Sequence, residues 1–475
     1  MVRQSVFMEE YEPMTRINTN VASLVAISDL SRSNNAMETS LQRLSSGLRI
    51  NSAKDDPAGL IISEMLRSEM TSITQAVDNT ERAGNVIATA EGALNEVSSL
   101  LNDVRDLIVE AASTGSLTAE EIDANQLQID SAVESITRIA NSTTFGGTQL
   151  LNGNMDFTTS GVTAADLSGV RVNQASLGSS GSATVNYDIS AVATQADITF
   201  DTAADVGGLV LEVTGNKGSM IFSFADGTTA ANMRAAIDAA KDVTGVEENA
   251  AGDGLASTAA GSKQFAEIRI VSGGAGAVAS TRDSGTDATG TVNGQDIVAD
   301  GNNATINNGN LKAEFTVEGA NSGSFTIDGG GATFQIGQDI NTNGQVRVGI
   351  QSITASNLGG GTSPDVLSSI VTGGANSLLA GEQADAAEIV DKAILDIATL
   401  RGRLGALQRN TLETNINSLQ VTLENLTSSE STIRDTDFAV ETSQLTRNQI
   451  LVQAGMSVLA TANSTPQSVL SLLQG

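Results

Sequence analysis

A chain of 475 residues carrying 55 acidic and 25 basic residues, a formal charge of -30, has no basic footprint for nucleic acid and would be repelled by an anionic membrane surface. With no Cys and no His, thiolate and imidazole chemistry are excluded, together with the zinc-peptidase helix motif that needs two histidines. Hydrophobic residues make up 40% of the chain but aromatics only 3%, so its cores must be built from Leu, Ile, Val and Ala, which suits helix seams better than one compact globule.

Residues 2–13 hold Arg3, Glu9, Glu10 and Glu12 and no apolar run of the length a secretion-signal core needs. No apolar stretch of ~18 residues occurs anywhere, so no membrane-spanning helix is expected. Helical sequence with heptad spacing then runs from about Asn20 to Ala140. Leu30, Met37, Leu41, Leu44 and Leu48 form a first apolar row, interrupted by Asn34. Asp56 followed by Pro57 reads as a capped helix start, because Pro lacks the N–H that would be orphaned there. Ile87, Ala90, Leu94, Val97, Leu101, Val104 and Ile108 step by three and four, keeping one narrow stripe toward a partner. Thr118 and Glu121 have capping-box spacing and open a further helix through Ile129, Val133 and Ile136.

The middle changes character. Of 47 glycines, 33 fall between Gly153 and Gly361, a span of less than half the chain. Alternating runs at Leu209-Leu211-Val213, Phe315-Val317, Phe325-Ile327 and Val346-Val348-Ile350 place apolar residues on one face of a sheet. Asp226-Gly227, Asn293-Gly294, Asp300-Gly301 and Asn343-Gly344 read as hairpin turns, and Ala230 to Lys241 as one helix. Helical spacing resumes from about Glu382 to Gln474, with no Gly or Pro between Gly405 and Gly455. Ile397, Leu400, Leu404 and Leu407 share one register, and Leu412, Ile416, Leu419, Leu423 and Leu426 another. The five-residue step between them predicts a change of partners there. Thr427 to Thr432 reads as a second break, before an amphipathic end with Ile450, Leu451, Val458, Leu459, Val469, Leu470 and Leu473.

The stretch 42–63, QRLSSGLRINSAKDDPAGLIIS, closely resembles bacterial flagellin. The resemblance continues through Glu91-Gly92-Ala93-Leu94-Asn95-Glu96 and Phe145-Gly146-Gly147, and returns over 433–475. It covers roughly 14–153 and 382–475 and does not extend into the insert. It implies a fold that is mainly α at the termini, as long antiparallel helices in a coiled coil or bundle, with a β-rich central insert in an elongated multi-domain architecture. The implied domains are inner-core terminal helices at 14–56 and 431–475, a helical shell at 57–175 and 365–430, and a variable β-rich outer part at 176–364. Residues 1–13 are expected to be a leader extension, because the family-like sequence starts at Met14.

The resemblance implies a structural subunit that polymerises into the extracellular flagellar filament for motility. Its partners would be itself, as a helical homopolymer, the flagellar type III export apparatus, a flagellin export chaperone, and the filament cap and hook-associated proteins. No nucleic acid, membrane insertion, cofactor or metal is implied. The alternatives are a hook-filament junction protein, or a flagellin with an enzymatic central insert. The polymerisation residues are expected at Leu24, Leu30, Leu41, Leu44, Leu48, Val458, Leu459, Val469, Leu470 and Leu473. A receptor-facing ridge, exposed in the monomer, is expected at Leu101, Asp103, Arg105, Asp106 and Leu107. Asp103 stands where flagellins sensed by the mammalian innate receptor commonly carry a basic residue, and Pro57 replaces a common alanine in the segment sensed by plants.

No catalytic site is expected. Asp55-Asp56 and the pair Asp435 and Asp437 have the composition of acid/base dyads, but no His or Cys accompanies them, and helix caps and solvated faces are the favoured reading. Gly273-Gly274-Ala275-Gly276 lacks the Asp of a calcium-binding repeat and has Val278 in its place.

Overall fold

The computed structural model describes residues 19–473 apart from 114–116, 178–180, 201–207, 274–280 and 361–365, with side chains described through 465. The first thirteen residues and most of the glycine run after Gly273 therefore lie outside it. The chain divides into two compact units, one of residues 1–75 with 418–475 and one of 76–417. Eight α-helices supply the helical parts of the described chain: α1 (Val21–Ser46), α2 (Pro57–Ala111), α3 (Ala119–Ser142), α4 (Ala230–Asp238), α5 (Lys241–Thr244), α6 (Gln383–Leu407), α7 (Thr414–Arg434) and α8 (Phe438–Leu473).

Helix starts are set by local chemistry. Asn20 caps α1 by accepting the Ser23 N–H at 3.0 Å, and Gly47 ends it in the left-handed conformation at φ 74°. Asp56 Oδ1 accepts the N–H groups of Ala58 and Gly59, so Pro57 opens α2 as expected. Thr118 and Glu121 form the full capping box of α3.

In the larger unit the α2 stripe forms a core. Ile87, Ala90, Leu94, Val97, Leu101, Val104 and Ile108 are all buried, packed with Ile129, Val133 and Ile136 of α3 and with Ile389, Val390, Ile397, Leu400 and Leu404 of α6. Gln126 fastens α3 to the distant loop that precedes α6, donating to the Ile370 carbonyl and accepting the Leu378 N–H, each at 2.9 Å.

Leu412 stays in this same core, against the expected change of partners after Leu407. A π-helical turn over Gln408–Glu413 is the reason. Its i→i+5 bonding brings a residue five positions on back to the same face, which absorbs the irregular step. The break expected at Thr427 to Thr432 is absent, since α7 continues to Arg434. Thr427, Ser429 and Thr432 turn their hydroxyls onto the carbonyls of Leu423, Asn425 and Ser428, which keeps these residues compatible with helix.

The insert is antiparallel β-structure on two further cores. One joins a five-stranded sheet, in the order Gln295–Asp296, Thr289–Val292, Ala183–Ala191, Ser322–Gly330 and Phe157–Ser160, to a four-stranded one, in the order Val298–Asp300, Asn303–Asn307, Leu311–Val317 and Leu167–Ala175. Phe315, Val317, Phe325 and Ile327 are buried there, as their alternation predicts. The other core backs the sheet Thr281–Ser284, Phe265–Gly273, Leu209–Gly215 and Ser219–Phe224 with α4, burying Leu209, Leu211, Val213 and Met233.

The turn readings divide. Asn293 and Gly294 both take positive φ, 52° and 77°, and close a two-residue hairpin. Asp300-Gly301 also joins paired strands. Asn343-Gly344 ends a short 3-10 turn in the long loop of a further hairpin, between the paired strands Ala332–Gln335 and Gln345–Val348, whereas Asp226-Gly227 leads from a strand into α4. The helix expected over Ala230 to Lys241 is interrupted at Ala239–Ala240, giving α4 and α5. Arg171 of the sheet and Asp396 of α6 form an ion pair at 3.0 Å that ties the larger β core to the helices.

Candidate assembly surface

In the smaller unit α1 and α8 run antiparallel. Asn20 Nδ2 donates to the Ala462 carbonyl at 2.8 Å and Ser23 Oγ to Asn463 Oδ1 at 2.9 Å, while Leu30 packs on Gly455, where a Cβ would stand 3.4 Å away. The other ends of the two helices meet in a short backbone bridge: Leu48 pairs with Asp435, the Arg49 N–H donates to Arg434 O, and the Thr436 N–H donates to Gly47 O. Charges close this corner. Arg43 lies 3.6 Å from the buried Glu441, and Arg434 lies 2.9 Å from Glu64.

Burial within this unit is incomplete. Leu24 is 58% exposed, Leu41 48% and Val458 58%, whereas Leu30, Leu44, Leu48 and Leu459 are half-buried. Val469, Leu470 and Leu473 lie outside the residues whose side chains are described. Val21, Val25, Ile27, Ile61, Ile62, Met65, Phe438 and Val440 are also exposed, and the sequence reading missed them as assembly candidates. The signal was present: Leu24 and Val25 are adjacent, so α1 is apolar on more than one face, and a search for a single heptad stripe discards such residues. Large apolar side chains repeated along both helices make this an unsatisfied surface rather than scattered exposure.

One member of each acidic pair caps a helix start, Asp56 at α2 and Asp437 at α8. Asp55 Oδ2 accepts the N–H groups of Asn51 and Ser52 and the Ser52 hydroxyl, and the hydrogen bonds from Ser52 hold its carboxyl below the usual carboxylate range. Asp437 Oδ1 accepts the Ala439 and Val440 N–H groups at the start of α8, and Asp435 accepts from Ser431. Among the described residues no group of three metal-ligating side chains converges. Nor is any described helix long and apolar enough to cross a membrane.

The expected ridge of α2 is corrected at one position. Leu101 is fully buried in the helical core because it belongs to the α2 stripe, while Asp103, Arg105 and Asp106 are exposed and Leu107 is half-buried. Arg105 Nε pairs with Asp391 Oδ1 of α6 at 2.5 Å.

The chain is 31% identical to the flagellin of Salmonella typhimurium, over 96% of this chain and 99% of that one. It belongs to the flagellin family. Flagellin A of Vibrio cholerae is 30% identical over the same shares of the two chains. The bacterial flagellin N-terminal helical region matches residues 17–156, and the C-terminal helical region matches 387–473. Among solved structures, the flagellar hook-associated protein-3 of Legionella pneumophila aligns at 12% identity over 78% of this chain and 98% of that one, with a TM-score of 0.30. As a flagellin, this chain is a structural subunit of the bacterial flagellar filament, which lies outside the cell.

Proposed function

We propose that copies of this chain pack into the filament through the incompletely buried apolar residues of α1, of the turn after it and of α8, namely Leu24, Leu30, Leu41, Leu44, Leu48, Val458 and Leu459, with Val469, Leu470 and Leu473 joining the same contact. The observation behind this reading is the exposure of Leu24, Leu41 and Val458 on two helices that already pair with each other. In solution, apolar surface of this extent is a cost that a neighbouring copy removes. Each subunit then offers one surface to a different surface on its neighbour, a heterologous contact that propagates as an open helix. On this reading residues 14–56 with 431–475 form the inner core, 57–175 with 365–430 the shell, and 176–364 the outer part.

The mechanism is association without catalysis. The type III export apparatus and a flagellin export chaperone deliver the subunit, and the cap and hook-associated proteins bound the polymer. The test is deletion of Val469 to Gly475, followed by sedimentation of polymer and circular dichroism of the monomer. Loss of polymer with the β signal retained is the expected result. Filament growth at the normal rate would remove the C-terminal residues from the contact.

A further inference from the structure

The two edges of the sheet Thr281–Ser284, Phe265–Gly273, Leu209–Gly215, Ser219–Phe224 are finished differently. Thr281–Ser284 carries Arg282, which lies 4.1 Å from the Phe265 ring centroid, and Asp283, whose Oδ2 accepts the Asp197 N–H at 2.8 Å. That edge is charged and covered. The edge Ser219–Phe224 contains no charge, Pro or Gly, and among the described residues no strand lies beyond it.

Its hydrogen-bonding phase is set by the hairpin. The Gly215 N–H donates to Gly218 O at 3.0 Å, so Gly218, Met220, Phe222 and Phe224 turn their backbone groups toward the neighbouring strand. Ser219, Ile221 and Ser223 therefore turn theirs outward. Met220 is 42% exposed and Ile221 61%. Beside them Val243 of α5 is also exposed, its carbonyl 2.9 Å from where a Cβ on Gly218 would stand. On a chain of charge -30, a charge-free apolar edge with outward backbone donors and acceptors is a template for one more strand.

We propose that this edge pairs antiparallel with the same edge of a second copy of this chain, joining two four-stranded sheets into one of eight. Charge selects this occupant and its direction. Lys217 precedes the strand and Asp226 follows it, so antiparallel pairing sets each positive end beside a negative one, whereas parallel pairing sets like beside like. The outward phase allows a two-fold register with Ile221 opposite its own counterpart, Ser219 opposite Ser223, and Met220 opposite Phe222. Polymerisation holds many copies together at high local concentration, so a short edge suffices. Being two-fold where the helical contact is head-to-tail, this contact is separate from that one and joins β modules of two copies in pairs that do not follow the helical repeat, within a filament or between adjacent filaments.

The test exploits the absence of Cys. In Ile221→Cys the introduced thiol is unique in the chain. Directly opposed residues of a hydrogen-bonded pair stand about 5.5 Å apart at Cα, inside the range a disulfide spans. Full-length chains are assembled into filaments, oxidised mildly and run on a non-reducing gel. We expect covalent dimers at least tenfold above those from Val210→Cys, which pairs with Ser223 one strand inward and off the two-fold, so that its two copies stand roughly 20 Å apart. A mixture of Ser219→Cys and Ser223→Cys chains should cross-link, while either alone should not, and this pair serves if Ile221→Cys misfolds. Dimers that persist in dispersed filaments assign the partner to the same filament, and dimers found only in bundled filaments assign it to a neighbouring one. Yields from Ile221→Cys and from the mixture no higher than from Val210→Cys overturn the proposal. Filament growth itself should proceed in every variant, so failure of this contact is distinguishable from failure of the helical one.

Discussion

Leu24 and Leu101 are one residue type in two surroundings, and truncating each to Ala separates folding from assembly. Leu101 is fully buried in the helical core, so Leu101→Ala leaves a cavity and should cost the monomer about 2–5 kcal/mol. Leu24 keeps 58% of its surface in solvent, so its present burial is worth less than half of the roughly 1.5–3 kcal/mol of a fully buried Leu, or about 0.6–1.3 kcal/mol. If a neighbouring copy buries the remainder, Leu24→Ala loses a further ~0.9–1.7 kcal/mol in the polymer alone. That raises the critical concentration for assembly about 5- to 20-fold. Urea unfolding of the monomer reads the first effect, and sedimentation of polymer over a concentration series reads the second. An unchanged critical concentration for Leu24→Ala, or a loss of monomer stability equal to that of Leu101→Ala, would refute the reasoning.

Thr118→Ala removes the capping box of α3 and should destabilise the larger unit by about 1 kcal/mol, measured by urea unfolding; no change would mean that the cap is redundant. Two carboxylates should give pH dependences of opposite sign in melting temperature. Burial acts to raise the pKa of Asp130, but hydrogen bonds from Thr372 and Gln126 outweigh it and hold the group low. Its stabilisation is therefore present above the ordinary carboxylate pKa and lost as pH falls through the lowered one, and Asp130→Ala should flatten that acid limb. For Asp156 burial prevails over the Phe157 N–H, Arg403 and Arg171, and the pKa is raised. Its contribution is full below the unfolded pKa and lost as pH rises through the folded one, so Asp156→Asn should gain stability relative to the parent at neutral pH; equal slopes for parent and variant would contradict either assignment. Asp103 is exposed on α2, and Asp103→Arg should strengthen activation of the mammalian innate receptor by monomer in a reporter assay, because it replaces a charge of the wrong sign; equal signalling by both proteins would dismiss that residue.

The features legible in the sequence were those that local spacing controls. The α2 stripe, the capping box, the Asp56-Pro57 start and the alternation of Leu209, Leu211 and Val213 are period or cap signals that need no knowledge of distant residues. Exposure was harder. The Leu30 to Leu48 row has the same spacing as the α2 stripe, yet α1 buries only Ala26 and Ser40, since its main partner within the unit is a single helix, α8. Turn dipeptides were overread where the same Gly geometry serves a helix entry, as at Asp226-Gly227, because φ at one residue does not fix the element that comes after it. Family likeness spoke for the two ends and was silent over the insert, where the uncharged edge at Ser219–Phe224 emerges only once pairing shows which strand has a neighbour on one side alone.

The π turn over Gln408–Glu413 means that this part of the chain carries a spare link. Counted as an α-helix at 3.6 residues per turn, Leu407 to Leu412 is one residue too long, and everything beyond should be rotated by about 100°. The turn stores that surplus locally, so the side chains on either side of it keep a common face: Leu404, Leu407 and Leu412 behave as if spaced three and four. Shortening the segment by one residue, for example at Asn410, would let it close as ordinary helix with the downstream side chains still facing where they face now. Lengthening the chain by one residue elsewhere in α6 has no such reservoir and would turn the rest of the helix away from its core. The segment is thus a point at which the chain tolerates a change of length without re-tooling its packing.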